Sequence, residues 1–121
     1  MEKLKSIVKL INKEPAHQLI GSNLKDLQSI VGGNIELIYL PKDILLIINE
    51  VGKLKNLDYN FKLVRLDESG LVTHLDNIVG DSFFVAAAEE NFTSLSSEQV
   101  EYIVKSFSNT YGHLILEKPR H

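Results

Sequence analysis

The segment that most constrains the fold is a run of five consecutive apolar residues at positions 44–48. A run that is so short and so uniformly apolar is typical of a β-strand covered on both faces. The polar turn Pro41–Asp43 precedes it, and the β-prone segment Ile35–Leu40 precedes the turn. The sequence therefore predicts a hairpin with a three-residue connection, whose second strand is buried on both sides.

A first helix is predicted at Leu24–Val31. Its apolar side chains fall on one helical stripe, and positions 21–23 offer a turn and an N-cap. Asp26 in the first turn suits the positive end of the helix dipole. The glycine pair at 32–33 follows the helix, so it is interpreted as a left-handed stop and not as a phosphate-binding loop, which would precede a helix.

A second helix and further strands complete the predicted fold. Ser96 and Gln99 fit the capping-box pattern, and apolar residues then recur at helical spacing, so we expect this helix to run to Gly112. Strand-like segments lie at positions 4–11, 61–66, 82–88 and 113–117. The interpretation is an α+β fold, with an antiparallel or mixed sheet of about five to six strands and two helices on one side of it. The length of 121 residues fits a single domain, residues 1–121.

Composition and charge exclude several classes of protein. There is no cysteine, so disulfides and Cys-ligated zinc are excluded. The N-terminal segment interleaves lysines with apolar residues and lacks the apolar stretch of a signal peptide, and no run approaches the roughly 20 apolar residues of a membrane span. We therefore expect a cytoplasmic protein with no membrane partner. A net charge of -3 argues against general nucleic-acid binding.

No spacing of residues predicts catalysis or metal binding. The histidines are His17, His74, His113 and His121, and none is spaced as a zinc ligand. No Gly-x-Ser-x-Gly elbow for a serine nucleophile occurs. We therefore expect no catalytic residue, no metal and no cofactor, and not an enzyme. An enzymatic site built from Asn60, His74 and Asp76 is the alternative that stays open.

Residues 52–65 combine cationic side chains with aromatic rings. Cations can bind phosphate, and aromatic rings can stack on a base. The composition predicts a ligand site for a nucleotide-like molecule, formed by Lys53, Lys55, Tyr59, Asn60, Lys62 and Arg65. The alternative is an amphipathic loop whose rings enter the core while its lysines stay in water.

Residues 66–104 contain no Lys or Arg, but eight Asp or Glu. Such a stretch is either a solvated acidic face that aids solubility or a face that docks on a basic partner. Both interpretations stay open for the acidic region 67–101.

Several motifs carry a resemblance to a known family. In chain order they are Leu24-x-x-Leu27-Gln28-x-x-Val31-Gly32-Gly33-x-Ile35-Glu36, Asn49-Glu50-x-Gly52-Lys53-Leu54, Leu57-x-x-Asn60, Asp76-x-Ile78-x-Gly80 and Leu95-Ser96-x-Glu98. In these motifs and their order the chain resembles the DUF3846 family over about residues 24–104. That family is typical of phages, plasmids and bacterial mobile elements, and its function is undefined, so the resemblance implies no activity and no catalytic residues. Family members often have arginine where this chain has Phe61, which leaves Lys62 or Arg65 to supply a basic contact.

The function expected from these observations is binding without catalysis. The first hypothesis is a phage or mobile-element protein that sequesters a nucleotide-like signal of host defence, in a pocket between the subunits of a homodimer. The alternative is an acidic protein-docking module that binds and blocks a host protein through the region 67–101.

Overall fold

The computed structural model describes residues 3–117. Within that range the chain forms nine strands and two helices. In chain order these are β1 (Lys3–Lys9), β2 (Ala16–Gly21), α1 (Leu24–Val31), β3 (Ile35–Leu40), β4 (Ile44–Asn49), β5 (Tyr59–Leu66), β6 (Val72–Val79), β7 (Ser82–Ala88), β8 (Asn91–Thr93), α2 (Ser97–Ser106) and β9 (His113–Glu117). Neither helix in this part of the chain is long and apolar enough to cross a bilayer.

The larger sheet has six antiparallel strands. Its main order is β2-β1-β7-β4-β3, and β8 pairs with the second half of β7. The hairpin of β3 and β4 is confirmed, because the turn Pro41–Asp43 connects them and Leu40 pairs with Ile44. Residues 44–47 are all buried, as their unbroken apolar character predicts.

A smaller, three-stranded sheet covers one face of the larger sheet. Its order is β6-β5-β9, with β5 and β6 antiparallel and β5 and β9 parallel. Ile44 and Leu46 of β4 pack toward the smaller sheet, whereas Leu45 and Ile47 pack on the opposite face. The α+β class and the two helices are therefore confirmed, and the strands form two sheets where one was expected.

The two helices lie on opposite faces of the larger sheet. Ile103 and Phe107, at the end of α2, pack in the core cluster between the sheets. Leu27 and Val31 of α1 pack in the cluster on the other face. The expectation that both helices lie on one side was wrong, because β4 buries apolar side chains on both of its faces and each face needs its own cover.

The boundaries of α1 follow the prediction, and those of α2 do not. Asn23 caps α1 by accepting a hydrogen bond from the Asp26 amide at 2.8 Å, and Gly32 ends the helix with φ 78°. The capping box of α2 is also confirmed. However, α2 ends at Ser106 and not at Gly112, because Phe107 turns to an extended conformation and forms a bridge with Leu114 of β9.

Three strands were not predicted from the sequence: β2, β6 and β8. All three are largely exposed, and β6 buries only Ile78 among its eight residues. Exposed strands carry a weak hydrophobic pattern, so this pattern alone cannot identify them from the sequence.

Candidate functional site

Asn60 does not line an open pocket but joins the two sheets. Its side chain is 7% exposed. The amide nitrogen donates to the carbonyls of Lys9 and Gly80, both at 2.8 Å, and the amide oxygen accepts from the Lys9 ammonium at 2.8 Å. All of its hydrogen-bonding groups are therefore directed into the protein.

Lys9 is a buried cation at the end of β1, with 2% of its surface exposed. Its ammonium also donates to the Leu10 carbonyl at 3.0 Å and lies 6.0 Å from the centre of the Phe61 ring. Burial lowers the pKa of Lys9, and the negative charge of Asp81 opposes that shift. The buried Lys9–Asn60 pair links β1 of the larger sheet to β5 of the smaller one.

Lys53 and Lys55 lie in the turns between β4 and β5, and both are exposed. Lys53 forms an ion pair with Asp76 of β6. The Lys53 charge is thus already partnered, whereas Lys55 projects into solvent.

Tyr59 and Lys62 lie near Gly112, at the start of β9. The Tyr59 hydroxyl donates to the Gly112 carbonyl at 3.3 Å, and the Lys62 backbone amide donates to the same carbonyl at 2.9 Å. Lys62 and Arg65 are three residues apart on β5, so their side chains project to opposite faces of the smaller sheet. The structure therefore distributes the six predicted residues over several places and does not bring them into one pocket.

Arg65 is the predicted site residue that lines the cleft between the outer strands of the two sheets. We call this the inter-sheet cleft; its volume is about 650 Å³. β3 is the outer strand of the larger sheet on this side and β6 that of the smaller sheet. The lining residues are Glu36, Ile38, Tyr39, Leu40, Pro41, Leu63, Arg65, Asp67, Thr73, Leu75, Asp76 and Leu116. A cleft of this size is large enough for a small ligand or for a few residues of a peptide.

The lining of the inter-sheet cleft mixes apolar and charged side chains, with a small acidic excess. Glu36, Asp67 and Asp76 contribute carboxylates and Arg65 contributes a guanidinium, and the Asp76 carboxylate is paired with Lys53. The Asp67 carboxylate accepts hydrogen bonds from Ser69 and Leu71, and these, the Ser69 side chain first, lower its pKa and keep it ionised. The cleft therefore favours a ligand that brings positive charge or hydrogen-bond donors.

Phe61, at the position where the resemblance implies an arginine, is fully buried between the sheets. Its ring packs edge-on against Phe107, with 5.2 Å between the ring centroids. Of the two residues expected to supply a basic contact instead, Arg65 lines the cleft and Lys62 does not.

The acidic region 67–101 does not form one continuous patch of unpaired charge. Asp81 accepts a hydrogen bond from the Ile11 amide at 2.9 Å, and Glu101 pairs with Lys105 at 2.5 Å. Glu89 lies in the turn between β7 and β8, away from the inter-sheet cleft lining. Of the carboxylates in this region, only those of Asp67 and Asp76 line the cleft.

The three residues of the alternative enzymatic site contact three different partners. The His74 ring contacts the Asn77 amide oxygen at 3.0 Å, Asp76 pairs with Lys53, and Asn60 bonds Lys9. In residues 3–117 no group of three His, Asp or Glu side chains could hold a metal ion. These contacts are hydrogen bonds and ion pairs of an ordinary structural kind.

A second groove of about 700 Å³ lies beside α2. It is bordered by Lys5 and Ser6 of β1, residues 17–19 of β2, and the start of α2. None of the six predicted residues lines it. Its residues are mostly exposed, and the inter-sheet cleft, which one predicted residue does line, is the stronger candidate site.

Comparison with known proteins gives one match. The family described as "Domain of unknown function (DUF3846)" matches residues 4–108 of the 121. The comparisons with curated proteins and with solved structures find no match. Because the matched region spans both sheets and both helices except for β9, it covers most of the fold described above. The chain therefore belongs to the DUF3846 family.

Proposed function

We propose that this protein acts by binding, without chemistry on its ligand, and that the inter-sheet cleft holds a segment of a host protein. The observation that carries the proposal is the cleft itself, which has partly apolar walls, a small acidic excess and an outer strand on either side. Apolar walls provide affinity, and carboxylates at the rim select the partner's charge.

The charge of the cleft supports one of the two hypotheses taken from the sequence over the other. A polyphosphate would meet the carboxylates of Glu36 and Asp67 beside Arg65, and like charges brought together in a cleft oppose binding. A basic protein segment would meet the same carboxylates favourably. The acidic docking hypothesis is thus better supported than the nucleotide hypothesis, with Glu36 and Asp67 in place of the whole acidic region.

Affinity capture with matched charge reversals tests this proposal. Tagged wild-type protein is compared with Glu36→Lys, which reverses a cleft charge, and with Glu98→Lys, which reverses an exposed charge on α2 away from the cleft lining. We expect Glu36→Lys to lose a host protein that wild type and Glu98→Lys retain, and added salt to weaken its capture. Equal recovery by all three proteins would contradict the role of the cleft.

A nucleotide-like ligand is the second candidate, and one observation favours it. Arg65 lines the same cleft as Tyr39, a residue that is 76% exposed and whose ring could stack on a base. A ligand at 100 times its Kd should stabilise the fold by about 2.7 kcal/mol. Thermal unfolding with nucleotides, cyclic dinucleotides and ADP-ribose should show this for wild type and Lys55→Met, but not for Arg65→Met. The absence of any shift in wild type would remove this candidate.

Native mass spectrometry of protein purified from host cells examines both candidates at once. It reports retained small molecules, bound proteins and the number of subunits, so it also tests the homodimer that the sequence analysis predicts. A mass equal to one chain, with nothing retained, would count against both candidates and against the dimer.

A further inference from the structure

The N-terminal half of β6 is an open strand edge beside the inter-sheet cleft. β6 is the outer strand of the smaller sheet, and its only strand partner in the described chain is β5. The turn at 67–70 bounds this edge on one side, and a bulge at Leu75, which has no partner on β5, bounds it on the other. The Leu71 amide and carbonyl are both bonded to Asp67 in this turn. Residues 72–74 therefore have one row of backbone groups available for a further strand.

The side chains at this edge are exposed, and the polar Thr73 and His74 lie between the apolar Val72 and Leu75. Leu71 is 63% exposed, Val72 59% and Leu75 37%. Outer strands are normally protected from pairing by lysine, proline or a cover of other elements. β6 has neither lysine nor proline. An exposed edge of this kind is a ready template for an added strand.

The charges beside the edge indicate what kind of strand would be added. Glu36 lies across the cleft on β3, Asp67 lies at the start of the turn before β6, and Asp76 lies on β6 itself. Asp76 lies beyond the bulge and is paired with Lys53, so a partner strand along residues 72–74 would run past the carboxylates of Glu36 and Asp67. Lysine or arginine at alternate positions would meet them, and the intervening side chains would face away from the cleft.

We propose that residues 72–74 of β6 pair with an extended, basic segment of the partner protein, which adds a fourth strand to the smaller sheet. This inference rests on the proposed function, since it names the chemistry and the binding mode of the segment held in the cleft. Main-chain hydrogen bonds provide affinity, and the cleft carboxylates provide specificity. A second copy of the chain is disfavoured as the occupant, because it would bring its own Asp67 and Asp76 to the same edge.

A designed probe tests this mode of binding on the full chain. The probe is a fluorescent ten-residue peptide of alternating lysine and valine, measured by fluorescence anisotropy. Two control peptides replace lysine with glutamate or carry N-methyl groups on every second backbone amide, which removes the hydrogen bonds of an added strand. We expect each control to bind at least tenfold more weakly. Binding of the N-methylated peptide as tightly as the probe would overturn strand pairing.

Variants and amide exchange then locate the peptide. Glu36→Lys should weaken binding of the lysine–valine peptide at least tenfold, and Glu98→Lys should leave it within twofold. Hydrogen–deuterium exchange should slow at residues 72–74 when the peptide is added. Slowing at β2 or at β3, with β6 unchanged, would overturn the assignment to β6.

The outcomes separate failure of this inference from failure of the proposed function. If the peptide does not bind but a captured host protein slows amide exchange around Glu36 and Arg65, strand addition is overturned and the cleft keeps its binding role. If neither peptide nor captured protein changes exchange around the cleft, both proposals are overturned.

Discussion

Lys9 and Asn60 are 51 positions apart in the chain, yet their side chains form the principal buried polar contact between the sheets. In the sequence, Lys9 is one of several lysines spaced through an apolar segment, and Asn60 is a polar neighbour of Tyr59. The pattern predicts strand β1 correctly but does not show that one of its lysines is buried. That information depends on the packing of β1 against β5, which local sequence does not specify.

Replacement of Asn60 by leucine should destabilise the protein by about 3 kcal/mol. The change leaves the buried Lys9 ammonium and the Gly80 carbonyl without the partner that Asn60 provides, and unsatisfied buried groups are costly, charged ones most of all. Urea unfolding followed by circular dichroism measures the loss. Asn109→Leu, at an exposed position, is the control and should change the free energy of unfolding by less than about 0.5 kcal/mol. Similar values for the two variants would argue against an energetic role for the Lys9–Asn60 pair.

The buried charge of Lys9 also predicts a pH dependence of stability. Because burial lowers its pKa below the ordinary 10.5, the unfolded chain binds more protons at this site than the folded chain in the alkaline range below 10.5. The contribution of Lys9 to the free energy of unfolding should therefore rise with pH across that range and level off above it. The measurement is the difference between wild type and Lys9→Met in urea unfolding at several pH values. A difference that stays constant up to pH 10.5 would show that the folded and unfolded pKa values are equal.

The residues of the inter-sheet cleft were only in part predictable from the sequence. The sequence places Arg65 in a predicted ligand site because it lies in a segment with cations and aromatic rings. Glu36, Thr73 and Leu75 carry no signal of their own, since the cleft exists only where β3 and β6 of different sheets lie side by side. Composition can therefore suggest the type of side chain in a site, but sheet pairing decides which side chains meet.

At the scale of elements, prediction succeeded where the determining signals are local. The cap and stop of α1 are adjacent to it, and the hairpin of β3 and β4 is specified by its own turn. The sequence predicts too late an end for α2 because Phe107 continues the helical apolar spacing. Its side chain is indeed buried, but its backbone is extended to pair with β9. Long-range pairing here overrides a local pattern.

The capping box gives a prediction at the scale of one helix. Ser96 accepts a hydrogen bond from the Gln99 amide at 3.1 Å, and the Gln99 side chain accepts from the Ser96 amide at 2.8 Å. Ser96→Ala should therefore lower the free energy of unfolding by about 1 kcal/mol. Ser97→Ala is the matched control, because Ser97 is the first helical residue and is exposed. Urea unfolding compares them, and an equal effect of the two substitutions would contradict the specific role of the Ser96 side chain.

For the whole molecule, Phe107 is the residue at which both sheets and α2 meet. Its ring packs edge-on against Phe61 of β5 at 5.2 Å, against Phe84 of β7 at 6.0 Å and against Tyr111 at 6.4 Å. The cluster that contains these rings includes residues of both sheets. The smaller sheet therefore has no separate core of its own, because its inner face is buried against the larger sheet.

This shared core predicts that residues 3–117 unfold as one unit, as expected for the single domain inferred from length. Hydrogen–deuterium exchange in increasing urea should show segments of β4 and β5 opening at the same midpoint, because neither sheet keeps its buried face without the other. Phe107→Ala should lower both midpoints together, with a loss of about 4 kcal/mol. Phe92→Ala, in the cluster on the other face and only partly buried, is the control and should cost less than half as much. If β5 opened at a clearly lower urea concentration than β4 in wild type, the two sheets would be separate folding units, and the inter-sheet cleft would be a joint between them and not a fixed site.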